Sequence, residues 1–271
     1  MIQLSLIGGG NMAEALVRGV LAAGFLAPAD LLVSEPDEAR RLLLSSRYGV
    51  TTSFDNVEAV RAAPRVLLAV KPQQLAEAVG GWPKRLVEGK LVLSILAGVS
   101  TSRLGELLGS HSRVVRVMPN TPALAQAGAS ALYFAEGVSA EDRAWSLRLF
   151  ESVGEAIGIE KESLMDAVTG LSGSGPAFVY KVIEAMSDGG VAAGLPRSIA
   201  LHLAAQTVMG AAKMVLETRE SPATLKEKVT SPGGTTMAGL RVLEAQGVHS
   251  AFIEAVVAAA RRSEELGRAS G

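Results

Sequence analysis

The first thirteen residues hold the sequence feature that most constrains the fold of this chain. A strand-like run, ending in Leu4-Ser5-Leu6-Ile7, leads directly into Gly8-Gly9-Gly10, and a stretch with helical character begins at Asn11. In a G-x-G-x-x-A turn the first glycine permits the tight turn, the second lets the backbone approach a pyrophosphate, and Ala13 keeps helix and strand close. The helix N-terminus adds free N–H groups and a positive dipole end. The motif therefore predicts a βαβ unit that binds a dinucleotide.

The first 161 residues alternate β-rich runs with helical stretches, which predicts a Rossmann-like α/β domain with a doubly wound sheet. Expected helices cover 11–23 and 36–47. The expected strands are 2–7, 31–34, 66–70, 91–96, 114–118, 129–134 and 156–159.

From residue 162 to residue 271 strand patterns cease and Ala-rich helical patterns follow, which predicts an all-α C-terminal domain. The expected helices are 163–169, 174–193, 197–217, 236–246 and 250–266. The segment Ser174–Ala193 is apolar on more than one face, so it is either a central core helix or a helix buried against a second subunit. A domain of this size has a small interior, which favours the second subunit and a dimerisation role.

Composition excludes several classes of protein. The chain carries 48% apolar residues and a net charge of −1, without a basic run, so neither nucleic acid nor a membrane surface is expected as a partner. Apolar stretches are broken by charge within about a dozen residues, short of a membrane span. Cysteine is absent, and His111, His202 and His249 lack metal-ligand spacing, so no metal site is expected. The expected location is the cytoplasm.

Further cofactor contacts are expected where strands end. Glu35 follows the second strand, where a carboxylate can accept from the ribose hydroxyls of NAD and would repel the 2′-phosphate of NADP unless Ser34 and Arg40 compensate. Glu35 could instead be a solvated helix-start residue. The choice between NADH and NADPH stays open.

The next strands offer similar contacts, because ligands in this fold lie outside the carboxyl ends of the strands. Ala69-Val70-Lys71-Pro72 ends one strand, and Ala97 follows another. Lys71 could reach a cofactor phosphate or ribose. Asn56 is a candidate adenosine contact, with a helix-capping role for Asp55 or Asn56 as the alternative.

A second glycine-rich loop lies near the C-terminus. In the stretch from Val229 to Leu240, two glycines and several small hydroxyl residues stand directly before a predicted helix. Such a loop can present N–H donors to a carboxylate, or can be an ordinary helix–helix turn capped by Ser and Thr. The residues alone do not separate these two readings.

Including this loop, the whole chain resembles the pyrroline-5-carboxylate reductase family, which catalyses the last step of proline biosynthesis. The stretch V-T-S-P-G-G-T-T-x-x-G-L, residues 229–240, looks like the family's signature. Four other blocks match in order: Gly8-Gly9-Gly10-Asn11-Met12-Ala13, Ala69-Val70-Lys71-Pro72, Arg116-Val117-Met118-Pro119-Asn120-Thr121-Pro122 and Gly170-Leu171-Ser172-Gly173-Ser174-Gly175-Pro176.

The resemblance implies roles for individual residues. Thr236 would hydrogen-bond the ring nitrogen of the substrate and is the expected catalytic residue. The remaining substrate contacts would be Val229, Ser231, Gly233, Gly234 and Thr235, largely through backbone N–H groups. The dinucleotide, NADPH or NADH, would contact Gly8, Gly9, Gly10, Asn11, Met12, Asn56, Ala69, Val70, Lys71, Pro72, Ala97 and, on the nicotinamide side, Asn120. Family members form homodimers intertwined through the helical domain, often assembled further into decamers.

Two other functions remain as alternatives. Hydroxyacid dehydrogenases of similar build share the Gly170-x-x-Gly173-x-Gly175 pattern, but Val179 stands where their catalytic lysine would be. Lys181 lies two residues further on, about 200° around the helix. The other alternative is a non-catalytic dinucleotide sensor, which a turnover assay would distinguish from an enzyme.

Overall fold

The computed structural model describes residues 1–83, 85–109 and 112–269, so His111 lies outside the described residues. In this part of the chain the strands are β1 (Leu4–Ile7), β2 (Leu31–Ser34), β3 (Thr51–Ser53), β4 (Arg65–Leu68), β5 (Leu91–Ser94), β6 (Arg113–Met118), β7 (Gly128–Phe134) and β8 (Gly154–Ile159). They form one sheet in the order β3-β2-β1-β4-β5-β6-β7-β8. Neighbouring strands pair in parallel except β6 and β7, which are antiparallel.

Helices cover both faces of the sheet, as the alternating sequence pattern predicts. They are α1 (Asn11–Ala22), α2 (Glu38–Tyr48), α3 (Asn56–Ala62), α4 (Leu75–Val79), α5 (Thr101–Leu108) and α6 (Ala140–Glu151). One buried cluster packs Leu16 of α1 and Phe150 of α6 against the sheet, and a second packs Val60 of α3 and Leu104 of α5. Parallel strands covered on both faces are largely apolar, which is why β1, β4 and β5 are nearly continuous apolar runs, with Ser5, Arg65 and Ser94 as the exceptions.

The expected Rossmann-like fold is confirmed, but strand β3 and helices α3, α4, α5 and α6 were not among the expected elements. Strand β3 has three residues and pairs with β2 at one edge of the sheet. It is too short for an alternating pattern to stand out, and α3, which follows it, spans seven residues. Asp55 is the N-cap of α3, since its carboxylate accepts from the N–H groups of Val57 and Glu58.

After β8 the described chain is helical, as predicted. The helices are α7 (Met165–Val168), α8 (Gly175–Ala192), α9 (Arg197–Thr218), α10 (Pro222–Lys228), α11 (Thr235–Ala245) and α12 (Val248–Ala269), with a π-helical turn over Thr169–Gly173. Helix α10 was not expected from the sequence. The chain forms two compact units, Met1–Ser174 with Ala258–Gly271, and Gly175–Val257. The division at residue 161 stays a prediction.

The helices of the second unit leave much apolar surface open. On α8 only Ser187 is buried, while Val179, Tyr180 and Met186 are exposed. The alternative of a central core helix is therefore wrong for α8. Exposed apolar side chains continue on α9, α11 and α12, among them Leu203, Met209, Val242, Leu243, Phe252 and Ile253.

Helix α9 corrects the expectation that charge interrupts every apolar stretch. It is uncharged from Ser198 to Ala212, and it is long and apolar enough to cross a membrane by length and composition, with 11% of the relevant window buried. Helices α11 and α12 pass the same test together, with a bend of 52° between them. A helix that buries apolar faces against another protein subunit can be equally long and apolar, so this composition does not by itself indicate a membrane span.

A substitution at Gly19, inside α1, tests how closely α1 packs against the segment that follows α6. A Cβ atom there would lie 2.4 Å from Cγ1 of Val153 and 2.7 Å from the carbonyl oxygen of Ser152. We expect Gly19→Ala to destabilise the fold by about 1–3 kcal/mol, seen as a melting temperature lower by several degrees. Gly105→Ala in α5 is the matched control, because no atom lies within 4 Å of its Cβ position. That change should leave stability equal or raise it by about 0.5–1 kcal/mol. Equal melting curves for both variants would contradict the packing described.

Candidate active site

A cavity of about 390 Å³ opens at the carboxyl ends of β1, β2, β3 and β4. This is the edge at which ligands bind in doubly wound sheets. Its lining includes most of the expected cofactor residues: Gly8, Gly10, Ser34, Glu35, Asn56, Ala69, Val70 and Lys71. The sequence therefore identified the residues of one real cavity, although they are spread over more than sixty positions.

The glycine loop of this cavity has the geometry that a bound pyrophosphate needs. Gly8 has φ +100°, and a Cβ atom there would lie 2.8 Å from the carbonyl oxygen of Ala69. Gly10 is the N-cap of α1, no side chain caps that helix, and no atom lies within 4 Å of its Cβ position. The first N–H groups of α1, at Asn11 and Met12, thus face open space at the positive end of the helix dipole. These residues fit a dinucleotide phosphate.

Glu35 is the most constrained side chain at the end of β2. Its carboxylate accepts from the N–H of Gly9 at 2.7 Å and from the N–H of Asp37 at 3.1 Å. It therefore lies against the glycine loop and lines the cavity, so the reading of Glu35 as a freely solvated residue is wrong. A carboxylate held at this point can also accept from ribose hydroxyls and places a negative charge beside them.

Arg40 is engaged away from the cavity. Its Nε donates to the carbonyl of Gly9 at 2.6 Å, and its Nη2 pairs with the carboxylate of Glu14 at 2.5 Å. Burial raises the pKa of Glu14, but hydrogen bonds from Tyr48 and Arg40 and the charges of Arg40 and Arg47 together bring it below its ordinary value. Glu14 is thus ionised at neutral pH and neutralises Arg40, which leaves Arg40 unable to compensate a phosphate beside Glu35 in this arrangement.

Asn56 is held by hydrogen bonds to two other elements. Its Oδ1 accepts from the hydroxyl of Ser34 at 2.7 Å, and its Nδ2 donates to the carbonyl of Ala78 at 3.0 Å. Since Asp55 caps α3, the capping alternative for Asn56 is wrong. Both Ser34 and Asn56 line the cavity, and each fixes the position of the other.

Sequence reasoning missed Phe54 and Arg41. Phe54 lines the cavity directly after β3 with 77% of its surface exposed. The Arg41 guanidinium lies 6.0 Å from the centre of its ring and donates to the carbonyl of Glu35. An exposed aromatic ring at the end of a strand is a surface for a flat ligand group. The available signal was an aromatic residue directly after the Thr51–Ser53 run. It was overlooked because this run was not recognised as a strand.

A second cavity of about 350 Å³ lies at the ends of β4 and β5. It is lined by Pro72 and Ala97, which were expected cofactor contacts, and by Thr169, Ser174 and Ser263. Ser263 is buried on α12 and donates to Asp166 at 2.7 Å. The end of α12 therefore helps to form this cavity, which the sequence did not indicate.

Asn120 has a structural role that the sequence did not reveal. Its Nδ2 donates to the carbonyl of Ser172 at 3.1 Å, and its Oδ1 accepts from the N–H of Ala129 at 2.9 Å. The side chain thus ties the end of β6 to the π-helical turn and to β7. A nicotinamide contact at Asn120 stays a prediction, with one amide hydrogen left to donate.

The C-terminal glycine loop lies in the second unit and leads into α11. Gly233 has φ +69°, which favours glycine, and a Cβ atom at Gly234 would lie 2.3 Å from Oγ of Ser231. Gly234 is the N-cap of α11, and no side chain caps the helix. The reading of a Ser/Thr-capped turn is therefore wrong, and the N–H groups at Thr235 and Thr236 remain open to an anion.

Comparison with known proteins relates this geometry to a family. A family model described as pyrroline-5-carboxylate reductase dimerisation matches residues 162–266, and one described as NADP oxidoreductase coenzyme F420-dependent matches residues 3–98. The pyrroline-5-carboxylate reductase of Synechocystis is 50% identical over 98% of this chain and 99% of its own length. That of Methanosarcina acetivorans is 46% identical over 98% of each chain.

The chain belongs to the pyrroline-5-carboxylate reductase family.

Solved structures agree with this membership of the reductase family. The pyrroline-5-carboxylate reductase of Coxiella burnetii superimposes with a TM-score of 0.93 at 37% identity, covering 98% of both chains. The Plasmodium falciparum pyrroline carboxylate reductase, solved with NADP bound, gives a TM-score of 0.87 at 32% identity over 98% of both chains. The expected fold and family are confirmed, and the chain is an NAD(P)H-dependent reductase.

Glu35 is expected to disfavour NADPH. Its carboxylate stands beside the glycine loop where a 2′-phosphate would approach, and Arg40 is already paired. We expect Glu35→Ser to raise the ratio of kcat/KM for NADPH over NADH about tenfold, which corresponds to ~1.4 kcal/mol. Glu35→Gln, which keeps the shape and one acceptor for Gly9, should shift the ratio in the same direction. An unchanged ratio in both variants would show that Glu35 does not face the ribose.

Proposed function

We propose that this chain reduces L-1-pyrroline-5-carboxylate to L-proline with NAD(P)H, the last step of proline biosynthesis. The observation that carries the proposal is the pair of uncapped glycine loops, one before α1 and one before α11, in a chain that matches family members over nearly its full length. One loop suits a pyrophosphate and the other a carboxylate.

In the cofactor site the chain's own residues bind the dinucleotide and orient it. Gly8 and Gly10 admit the pyrophosphate to the N-terminus of α1, and Glu35, Ser34 and Asn56 line the space for the adenosine ribose. Lys71 at the end of β4 is exposed and positively charged, which suits a phosphate or a ribose hydroxyl. The bound nicotinamide supplies a hydride.

In the substrate site the backbone does most of the binding. The N–H groups of Thr235 and Thr236, with the Ser231 hydroxyl, hold the carboxylate. Gly234, whose N–H donates to the Ser231 carbonyl at 3.0 Å, completes the loop with Val229 and Gly233. Gly234 requires the absence of a side chain because Ser231 packs against it. Preorganised N–H donors at a helix N-terminus bind an anion without a charged side chain.

Thr236 is the residue that we assign to the ring nitrogen. Its hydroxyl, in the first turn of α11, orients the nitrogen and relays a proton to or from water. A protonated imine is already an electrophile, so its reduction needs orientation and exclusion of water more than a general base. Alcohol oxidation, in contrast, needs a positioned base.

The geometry disfavours the hydroxyacid dehydrogenase alternative. Val179 stands at the position of that family's lysine, and the Nζ of Lys181 pairs with Glu184 at 2.6 Å on an exposed face of α8. A non-catalytic sensor would need only the cofactor loop, and this chain has the Ser231–Thr236 loop as well.

The assembly that we propose is a homodimer formed through the helical half, assembled further into a decamer, in the cytoplasm. The exposed apolar side chains of α8, α9, α11 and α12 support this, since a monomer rarely leaves such a surface in contact with water. The match of a dimerisation model to residues 162–266 supports it too. We assign the apolar surface of α9 to this subunit contact and not to a membrane.

The proposed reaction predicts turnover in a direct assay. NADH or NADPH should be oxidised in the presence of pyrroline-5-carboxylate, and proline should accumulate in equal amount. The fall in absorbance at the reduced-nicotinamide band measures oxidation of the cofactor, and chromatography measures the proline formed. A folded chain that oxidises neither cofactor would refute the proposal.

Thr236→Ala should damage catalysis much more than folding. The N-cap is Gly234, so loss of the Thr236 hydroxyl should cost at most about 1 kcal/mol of stability. Loss of a hydrogen bond made mainly in the transition state typically lowers kcat about 10²-fold or more. Affinity for proline-like carboxylates should fall less, because backbone N–H groups remain.

Two variants serve as controls for Thr236→Ala. Thr236→Ser keeps a hydroxyl and should retain much of the activity. Thr235→Ala keeps the backbone N–H and should bind the carboxylate nearly as the parent does. Parental turnover in Thr236→Ala would show that Thr236 takes no part in the chemistry.

A further inference from the structure

Phe54 is an exposed aromatic ring on a backbone that is held in place. Its side chain is 77% exposed, although it follows directly after strand β3. The hydroxyl of Ser53 accepts from the N–H of Asp55 at 3.0 Å and donates to Glu58 at 2.7 Å. Asp55 in turn caps α3, so the backbone is fixed on both sides of the ring. A ring that served only to pack the fold would be buried.

The pairing of β2 with β3 places Phe54 beside Glu35. Ser34 and Ser53 are partners in the parallel register, and the N–H of Glu35 donates to the carbonyl of Ser53 at 2.9 Å. Glu35 and Phe54 are thus the first residues beyond the ends of two adjacent strands, whose backbones lie about 4.8 Å apart. Both side chains line the cavity of about 390 Å³. A flat group bonded to a ribose beside Glu35 is therefore within reach of the Phe54 ring.

Arg41 links the Phe54 ring to the end of β2. Its Nη1 donates to the carbonyls of Glu35 and Pro36, at 2.7 Å each. Its guanidinium carbon lies 6.0 Å from the centre of the Phe54 ring, at the outer limit of a cation–π contact. The two carbonyls fix the guanidinium, and the cation attracts the ring toward the loop that follows β2.

We propose that Phe54 stacks on the adenine ring of the bound dinucleotide, and that Arg41 is a positioning residue that holds Phe54 for this contact. In a doubly wound sheet, the acidic residue at the end of β2 marks the ribose of the adenosine half. Adenine is bonded to that ribose, and a base can stack on the face of an aromatic side chain. The contact rests on the adenosine ribose lying beside Glu35, as proposed above, and requires no particular imine substrate.

The order of the strands assigns Phe54 to the adenosine half and not to the nicotinamide half. Strands β2 and β3 lie on one side of β1, whereas β4, β5 and β6 lie on the other. Asn120, the expected contact on the nicotinamide side, follows β6. A dinucleotide whose pyrophosphate lies at the N-terminus of α1 thus extends to both sides of β1. Its adenosine half lies on the side of Glu35 and Phe54.

Binding measured without turnover tests the stacking contact in the full chain. The fluorescence of the reduced nicotinamide gives the dissociation constant of NADH, or of NADPH if that binds more tightly. Displacement of this cofactor gives the constants of ADP and of inorganic pyrophosphate. Phe54→Ala should weaken ADP and the dinucleotide by the same factor, about tenfold, as expected for loss of a base stacked on an aromatic side chain. Pyrophosphate, which has no base, should bind as it does to the parent chain.

Two further variants at position 54 separate stacking from apolar contact. Phe54→Tyr keeps the ring and should bind ADP within about twofold of the parent chain. Phe54→Leu keeps an apolar side chain without a ring face and should lose most of the tenfold. Unchanged ADP binding in Phe54→Ala would overturn the stacking contact. Weakening of pyrophosphate as large as that of ADP would overturn it too, because the substitution would then act on the glycine loop.

Arg41→Ala measures the positioning role. In the parent chain it should weaken ADP binding about threefold, the size expected for an exposed cation–π contact. In the Phe54→Ala chain it should have no further effect, because Arg41 acts through the ring. Equal losses in both backgrounds would show that Arg41 contacts the nucleotide itself and would overturn this role. A chain that binds ADP through Phe54 but does not reduce pyrroline-5-carboxylate would refute the proposed reaction and leave the stacking contact supported.

Discussion

The close approach of the Gly8 turn to the end of β4 is the constraint on which the cofactor site depends. A side chain at Gly8 would overlap the Ala69 carbonyl, so glycine there lets β1 and β4 deliver their carboxyl ends to the same edge. The turn then aims the N-terminus of α1 into the cavity. The uncapped N–H groups of that helix are useful only because the loop holds them open to a ligand.

The glycine loop is also tied to β2, and this connects phosphate binding with cofactor selectivity. Glu35 accepts from Gly9, and Arg40 donates to the same residue's carbonyl while pairing with Glu14. The loop, the first turn of α1 and the end of β2 therefore form one hydrogen-bonded unit. A change at Glu35 would act on the proposed adenosine site and on the loop together, which is why the isosteric glutamine variant is informative beside serine.

The two halves of the chain differ in how they bury their apolar side chains. The sheet domain buries its apolar residues within itself, in one cluster on each face. The helices of the second unit leave many of theirs exposed, which supports the proposed contact with another subunit.

Local sequence determined the elements whose signal is local. The Gly8–Ala13 turn, the apolar strands and the Ala-rich helices follow from periodicity and from the conformational freedom of glycine, and the family follows from motifs in order along the chain. The core-helix alternative for Ser174–Ala193 and the cap roles of Asn56 and of the Ser/Thr loop could not be decided in this way. They depend on contacts in the folded chain. Most of α8 is not buried in a core, Asp55 caps α3, and Gly234 is the N-cap of α11, where no side chain caps the helix. Short β3, the exposed Phe54 beside Arg41 and the pairing of Arg40 with Glu14 were settled by tertiary structure alone. Their partners lie far away in sequence or in the sheet, and a pattern of neighbouring residues carries no information about contacts of that kind.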